Sequence, residues 1–359
     1  MTKETKTLKI NRLPAPTYRY LKMNHAEVPE AEYKHHAVDK PELENAVLLP
    51  EADGEIFKGI KTGCGEELTS LLDSQGIPVM RIAAGKPGAK AKYDIVFAEG
   101  EEGSSRCEVD APSGTDITVI QFIESGRSGT AALQTVLKAG NSAKIHLVQI
   151  ISCGEYFRLI NDVAAAEEDR AAFELTQLYL SGSEIITGTF TALDGYRSEY
   201  RNDIAYLLKD SEKLDINLVA SHRGRKTQSE INAKGVLSDK AQKVFRGTID
   251  FINGASGAKG AENEEVLMIN EGVVNKTVPL ILCAEEDVEG SHGASIGKLD
   301  ERYVFYMMSR GMSLGRIYEM MSRAKVEAAM RRINDEETLA RIEKSIGGAF
   351  SDDEQNTVG

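Results

Sequence analysis

The clearest regularity along the chain is an alternation of apolar and polar positions that gives way, near residue 295, to a spacing of three and four. LDINLVASH (214–222) puts Leu214, Ile216, Leu218 and Ala220 on one face of an extended segment. KVFRGTIDF (243–251) does the same with Phe245, Ile249 and Phe251, and TVPLILC (277–283) with Val278, Leu280 and Leu282. TDITVIQFI (115–123) and AKIHLVQII (143–151) are β-rich runs, and small polar turns such as NAKG, NGASGAKG and NEG punctuate the region. One stretch departs from the pattern. Within 153–182, AAAEEDRAAFELTQLYL predicts a helix or irregular excursion, with a strand at FELTQLYL as the other reading. Many short strands with few helices between them argue against a doubly wound α/β fold. Sandwich, barrel and β-solenoid all stay open on pattern alone, because a solenoid whose turns differ in length shows no strict period.

The flanks read differently. LPAPTYRYLKMN (13–24), with two prolines, is expected to be an ordered arm, and the acidic stretch 41–55 a surface loop. GEELTSLLDSQG (65–76) predicts a short helix with Leu68, Leu71 and Leu72 on one face and Gly76 as its stop. After 295 the spacing predicts three helices. The first spans 299–310 and closes at Gly311. The second is capped by Ser313 and carries Leu314, Ile317, Met321, Ala324 and Ala328. The third is capped by Asp335, carries Leu339, Ile342 and Ile346, and stops at Gly347-Gly348 before a frayed tail, SDDEQNTVG. The expected organisation is a mixed region over 1–92, a β core over 93–294 and a helical appendage over 295–359, too small to stand alone.

Composition narrows the functions. The 359 residues carry a net charge of −13, which disfavours nucleic acid and anionic membranes as primary partners. HRGRK (222–226) is the one tight basic run and reads as a solvated loop. No stretch approaches the ~20 apolar residues that span a bilayer. The opening MTKETKTLKINRL has no apolar export core, so a cytoplasmic protein is expected. Cys64, Cys107, Cys153 and Cys283 are scattered, with no CxxC pair; about three of them should be buried small hydrophobes. AAGKPGAK (83–90) has the wrong spacing for a phosphate-binding loop, so ATP hydrolysis by this chain is not expected. An enzyme acting on polysaccharide would need aromatic subsites, and the chain has no tryptophan and 6% aromatics.

Candidate chemistry centres on GSHGASIGKLDE (290–301), where His292 follows the acidic run AEEDVE (284–289). A neutral imidazole beside carboxylates is a reasonable iron ligand; a turn histidine bonding backbone groups is the other reading. Cys283 is the nearest thiol in sequence, on the face opposite Val278, Leu280 and Leu282. His222 extends the Leu214–Ala220 face and reads as a hydrogen-bonded core residue. His25, His35, His36 and His146 are assigned no chemistry.

SHRGRKTQSEINAKGVLSDKAQKVFRGTIDF (221–251) followed by AEEDVEGSHGASIGKLDERYVFYMMSRGMS (284–313) resembles the SufB/SufD family of iron–sulfur cluster assembly proteins. The GxxSxK…VFxGxIxF spacing, the SHGA turn and the LDExxxFYxxSRG helix carry the likeness, strongest over 185–325. The resemblance implies a mainly β fold, a right-handed parallel β-helix flanked by an N-terminal region and a C-terminal helical subdomain. It implies a non-catalytic scaffold holding a transient iron–sulfur cluster. It also implies two partners: a SufC-like ABC ATPase docked on the C-terminal helices, and a second copy or a SufB-like relative at the β-helix end. His292 matches the family's interface histidine. Where SufB-type chains carry a cysteine opposite it, alignment places Glu264 or Glu265 here, and NDIAYLLKD (202–210) lacks the sulfur-accepting cysteine. With Cys283 these form the expected metal-site residues of a SufD-like or minimal member; a purely structural solenoid that anchors the ATPase is the alternative.

Overall fold

A computed structural model describes residues 6–16 and 19–351. Each of the runs 115–123, 143–151, 214–222, 243–251 and 277–283 is a strand, and their neighbours are parallel. Two parallel sheets face each other. One runs from Val79–Ala84 through Glu101–Ala111, Ser128–Ala139, Tyr156–Glu167, Glu184–Leu193, Lys213–His222 and Gln242–Phe251 to Val274–Cys283. The other runs from Ala89–Phe97 through Asp116–Ser125, Lys144–Ser152, Ala172–Ser181, Glu199–Leu208, Gln228–Leu237 and Ala258–Met268 to Val288–Gly297. The chain alternates between them, so the fold is a β-solenoid of about 8 turns followed by helices. Coil length varies: Arg158 pairs with Glu184, whereas Gln242 pairs with Val274, a longer step. That variation erases any strict sequence period.

The expected helix in 153–182 is instead two strands, Tyr156–Glu167 and Ala172–Ser181. Alanine and glutamate favour helix locally, but each strand here is hydrogen-bonded on both sides, and Phe157, Leu159, Val163, Phe173 and Leu175 enter the interior core. The 41–55 stretch is not a plain loop either. Glu42–Glu44 and Ala46–Leu48 pair antiparallel with Ala89–Phe97 and Val79–Ala84 and cap the first coil, and Glu51–Phe57 is a 3₁₀ turn.

Ile216, Leu218, Phe245 and Ile249 point into the solenoid and are fully buried. Val278 and Leu280 do not point inward. In register Val278 stands beside Arg246 and Thr277 beside Phe245, so the Val278 face is the outer one. It is covered by Leu13 and Met23 of the N-terminal arm. The outer face of that strand is thus as covered as an inner one, and alternation alone could not tell inside from outside.

The rest of the N-terminal region lies on the outer face of the first sheet. The antiparallel pair Thr7–Ile10 and Ala26–Pro29 and helix α1 (Glu66–Ser74) bury Leu8, Ile10, Leu68 and Leu72 against Ala132, Ile160 and Ile186. Gly63 and Gly188 meet so closely that a Cβ on Gly63 would come within 2.1 Å of backbone. Helices α2 (Glu301–Ser309), α3 (Leu314–Met330) and α4 (Glu336–Ser351) follow the last coil. Asp300 and Ser313 accept N-terminal N–H bonds at the starts of α2 and α3. α4 continues through Gly347-Gly348, where a stop was expected. The tail beyond Ser351 lies outside the described residues.

α3 and α4 pack on the outer face of the second sheet. Val326, Ala329, Met330, Ile333, Ile342 and Ile346 cover Ile120, Phe122, Val148, Ile150, Leu178 and Leu207. Of the expected α3 stripe, Ile317 is buried, but Leu314 and Ala324 are exposed. Among the described residues no helix is long and apolar enough to cross a membrane.

Candidate functional site

Among the described residues, the two strands of the last coil, Val274–Cys283 and Val288–Gly297, each have a parallel partner on one side only. Their inward side chains therefore form an uncovered floor at the end of the solenoid. Register with the preceding coil assigns that floor: Thr277 beside Phe245 and Cys283 beside Phe251 on one sheet, His292 beside Glu262 and Ala294 beside Glu264 on the other. His292 is exposed and makes no hydrogen bond among the described residues.

Immediately beneath lie three ionisable groups in the solenoid interior. Lys243 is fully buried and paired with the buried Glu264. Burial pulls the ammonium pKa down, and Glu264 opposes it. Glu264 also accepts from Thr277 Oγ1 at 2.7 Å and from the Tyr206 hydroxyl at 3.4 Å. Glu262 is only 3% exposed and lies against Gly247 of the facing sheet, where a Cβ would meet its Oε2 at 1.9 Å. Burial, reinforced by the Glu264 charge and partly offset by Lys243, pushes the Glu262 carboxyl up to about 8. Glu262 thus stands in register with His292 on the adjacent strand but is buried beneath the floor on which His292 is exposed, with Lys243 and Glu264 paired beside it.

Glu265 is not part of this floor. It points outward, where it holds Lys325 of α3 at 2.5 Å and Lys234 at 3.7 Å, and the Lys325 contact lowers its pKa. The acids Glu285, Asp287 and Glu289 are engaged with the preceding coil rather than with the floor. Glu285 accepts from Gly254 N at 2.9 Å, Asp287 from Ser256 Oγ at 2.7 Å, and Glu289 pairs with Lys259 at 2.8 Å. Cys283 is exposed, at the far end of its strand, and its thiol donates to the Glu285 carbonyl at 3.1 Å. Cys64, Cys107 and Cys153 are buried, as expected; burial pushes Cys107 and Cys153 up to about 12. Among the described residues no three His, Cys, Asp or Glu side chains gather to hold a metal ion.

Sequence reading named His292 and Glu264 and passed over Glu262 and Lys243; of these, Glu264 is engaged in the buried pair with Lys243. The available signal was phase: Lys243 stands in step with Phe245, and Glu262 one coil before His292. Without the coil length, Glu262, Glu264 and Glu265 could not be ranked. His222 is a core residue, fully buried, its ring nitrogens against Thr227 Oγ1 at 2.7 Å and Ser229 Oγ at 2.8 Å.

A second exposed feature lies on the helices. Tyr303, Phe305, Tyr306 and Met308 of α2 and Leu314 and Met320 of α3 are all exposed, Phe305 at 75%. Six large apolar side chains left exposed on two successive helices are more than a solvated face needs.

The family model described as SUF system FeS cluster assembly, SufBD core domain, matches residues 96–325. Over 289 residues the chain is 26% identical to the iron-sulfur cluster assembly protein SufD of Escherichia coli, covering 77% of this chain and 68% of that protein. It is 35% identical over 91 residues to SufD of Bacillus subtilis, covering 25% of this chain and 21% of that one. A SufBD family protein of Mycobacterium tuberculosis, Rv1461, is 28% identical over 130 residues, covering 36% and 15%.

Proposed function

Because the chain belongs to the SufBD family of the SUF system of iron–sulfur cluster assembly, we propose that it is a non-catalytic scaffold on which a nascent cluster is held at a subunit interface. The observation that carries this reading is His292, exposed and unpartnered among the described residues on the uncovered floor of the last coil, with Glu262 one coil beneath it. Imidazole and carboxylate are competent iron ligands, and two of them make a weak, labile site suited to a cargo that must be surrendered. A second copy, or a SufB-like relative, seated on the same floor would supply the remaining ligands. It would also cover two edge strands whose free N–H and C=O groups otherwise invite uncontrolled pairing. Cys283 stands on the same inward face and is the one exposed thiol among the four, a reserve ligand at the rim.

The exposed apolar surface of α2 and the first turns of α3 suits a SufC-like ABC ATPase. ATP hydrolysis belongs to that partner, and a cytoplasmic setting suits four reduced thiols. The test is anaerobic reconstitution of the complex with its ATPase, iron and a sulfide source, followed by transfer to an apo-ferredoxin. Visible absorbance of a cluster that passes to the ferredoxin supports the scaffold. A complex that forms yet never carries iron refutes it and leaves the purely structural partner in its place.

A further inference from the structure

One edge of the solenoid carries a column of cations that cluster assembly does not use. The turns from the first sheet into the second are hydrogen-bonded coil to coil: Arg170 N donates to Tyr196 O at 2.8 Å, Arg197 N to Arg225 O at 3.0 Å, and Lys226 N to Ser256 O at 2.9 Å. This stacking sets Arg170, Arg197 and Lys226 above one another at the strand spacing of about 4.8 Å, with Tyr196 and Arg225 in the adjoining column. The guanidinium groups of Arg197 and Arg225 both lie over the Tyr196 ring, 5.2 and 6.0 Å from its centroid. Arg170, Arg197, Arg225 and Lys226 are exposed, and none of them has a carboxylate partner among the described residues. HRGRK, a solvated loop by sequence, is thus joined by arginines from the two preceding coils.

The backbone adds an independent sign. Arg170, Arg197 and Lys226 sit at φ 56°, 58° and 58°, the left-handed region that favours glycine or asparagine. The turns on either side meet the same requirement with Ser142 and Gly257, so the turn itself does not ask for a cation. Three long cations kept in succession in an unfavourable conformation, within a chain of net charge −13, point to a role on the surface.

We propose that this ladder docks a short acidic peptide segment of a partner protein, laid across the stacked turns. Charge complementarity selects an anion, and the surroundings select a short one. Glu168, Asp169, Asp194 and Glu199 flank the ladder, and the acidic 285–287 turn stacks on the same edge through Gly257 N to Asp287 O at 2.7 Å. A long phosphodiester would run onto these carboxylates, whereas a short segment ends before them. The site needs neither His292 nor the ATPase, so its failure and that of the scaffold reading are separable.

The experiment is fluorescence anisotropy of a labelled decapeptide of alternating Asp and Glu, with the full chain and with the R170N/R197N/R225Q/K226N variant. Asparagine tolerates the left-handed region, so the variant should keep the wild-type melting temperature. Wild type should bind the peptide more tightly as salt is lowered, the variant at least tenfold more weakly, and a Gln/Asn decapeptide should not bind. Equal binding by the variant, or no binding by wild type at low salt, overturns the proposal. Tighter binding of a single-stranded oligonucleotide of equal charge does so too, in favour of nucleic acid. Should the quadruple variant lose its fold, R197Q/R225Q replaces it, read by the same criteria.

Discussion

Glu262 and Glu264 stand at consecutive inward positions of one strand, yet their partners give them different tasks. Glu264 is held by Lys243, Thr277 and Tyr206, a satisfied buried pair that would be costly to break. Glu262 has no ion-pair partner among the described residues and is buried one coil beneath His292, feeling Lys243 only through its charge. The histidine was legible in the sequence because it is one of six in a recognisable turn; its carboxyl partner was not, because register across a coil of variable length is a property of the fold. His222 illustrates the same boundary. Its in-phase position was visible, but its two hydroxyl partners come from the following turn and strand. Burial lowers it from 6.5 to about 4, so the folded state favours neutral imidazole. Stability from this group is fully present above pH 6.5 and falls as pH drops from 6.5 towards 4, by about 3 kcal/mol. His146, also lowered to about 4, acts with the same sign. Urea melts across pH 4–7 should show this loss in wild type, and a shallower slope in His222→Gln.

At the scale of elements, α3 and α4 belong to the solenoid as much as to any partner. Their apolar residues cover the outer face of the second sheet, so removing 313–359 should unmask Ile120, Phe122, Val148 and Ile150 and destabilise the core. Ile342 is fully buried there, and Ile342→Ala should cost about 2–4 kcal/mol by thermal or denaturant melting. The surface proposed for the ATPase is α2 and the start of α3. Phe305→Ser and Tyr303→Ser should abolish ATPase capture in pull-down or calorimetry while changing stability by no more than about 0.5 kcal/mol. Unchanged capture would move the docking surface elsewhere. The alternating strands and the helical tail were legible because their apolar periods differ. The strands of 153–182 were not, because their alanines and glutamates favour helix locally and only neighbours on both sides decide the matter. The phase of Val274–Cys283 was hidden because the N-terminal arm makes its outer face apolar too.

For the whole molecule, pattern left three β architectures open and the family resemblance selected the solenoid, which the structure bears out. What pattern could not supply is which end is closed. The first coil is capped by Glu42–Glu44 and Ala46–Leu48, whereas the last, among the described residues, presents two bare strands and an exposed His292. If a second copy seats on that floor, as proposed, a charge there should keep subunits apart: light scattering should find a dimer for wild type and a monomer for Ala294→Arg, at the same melting temperature. The most direct test of the central claim is iron and acid-labile sulfide per protomer in the anaerobically reconstituted ATPase complex, wild type against His292→Ala. A scaffold that holds its cluster through His292 predicts that the variant assembles and binds ATPase normally but loses most of its iron and sulfide. Equal iron and sulfide in the two proteins would contradict it.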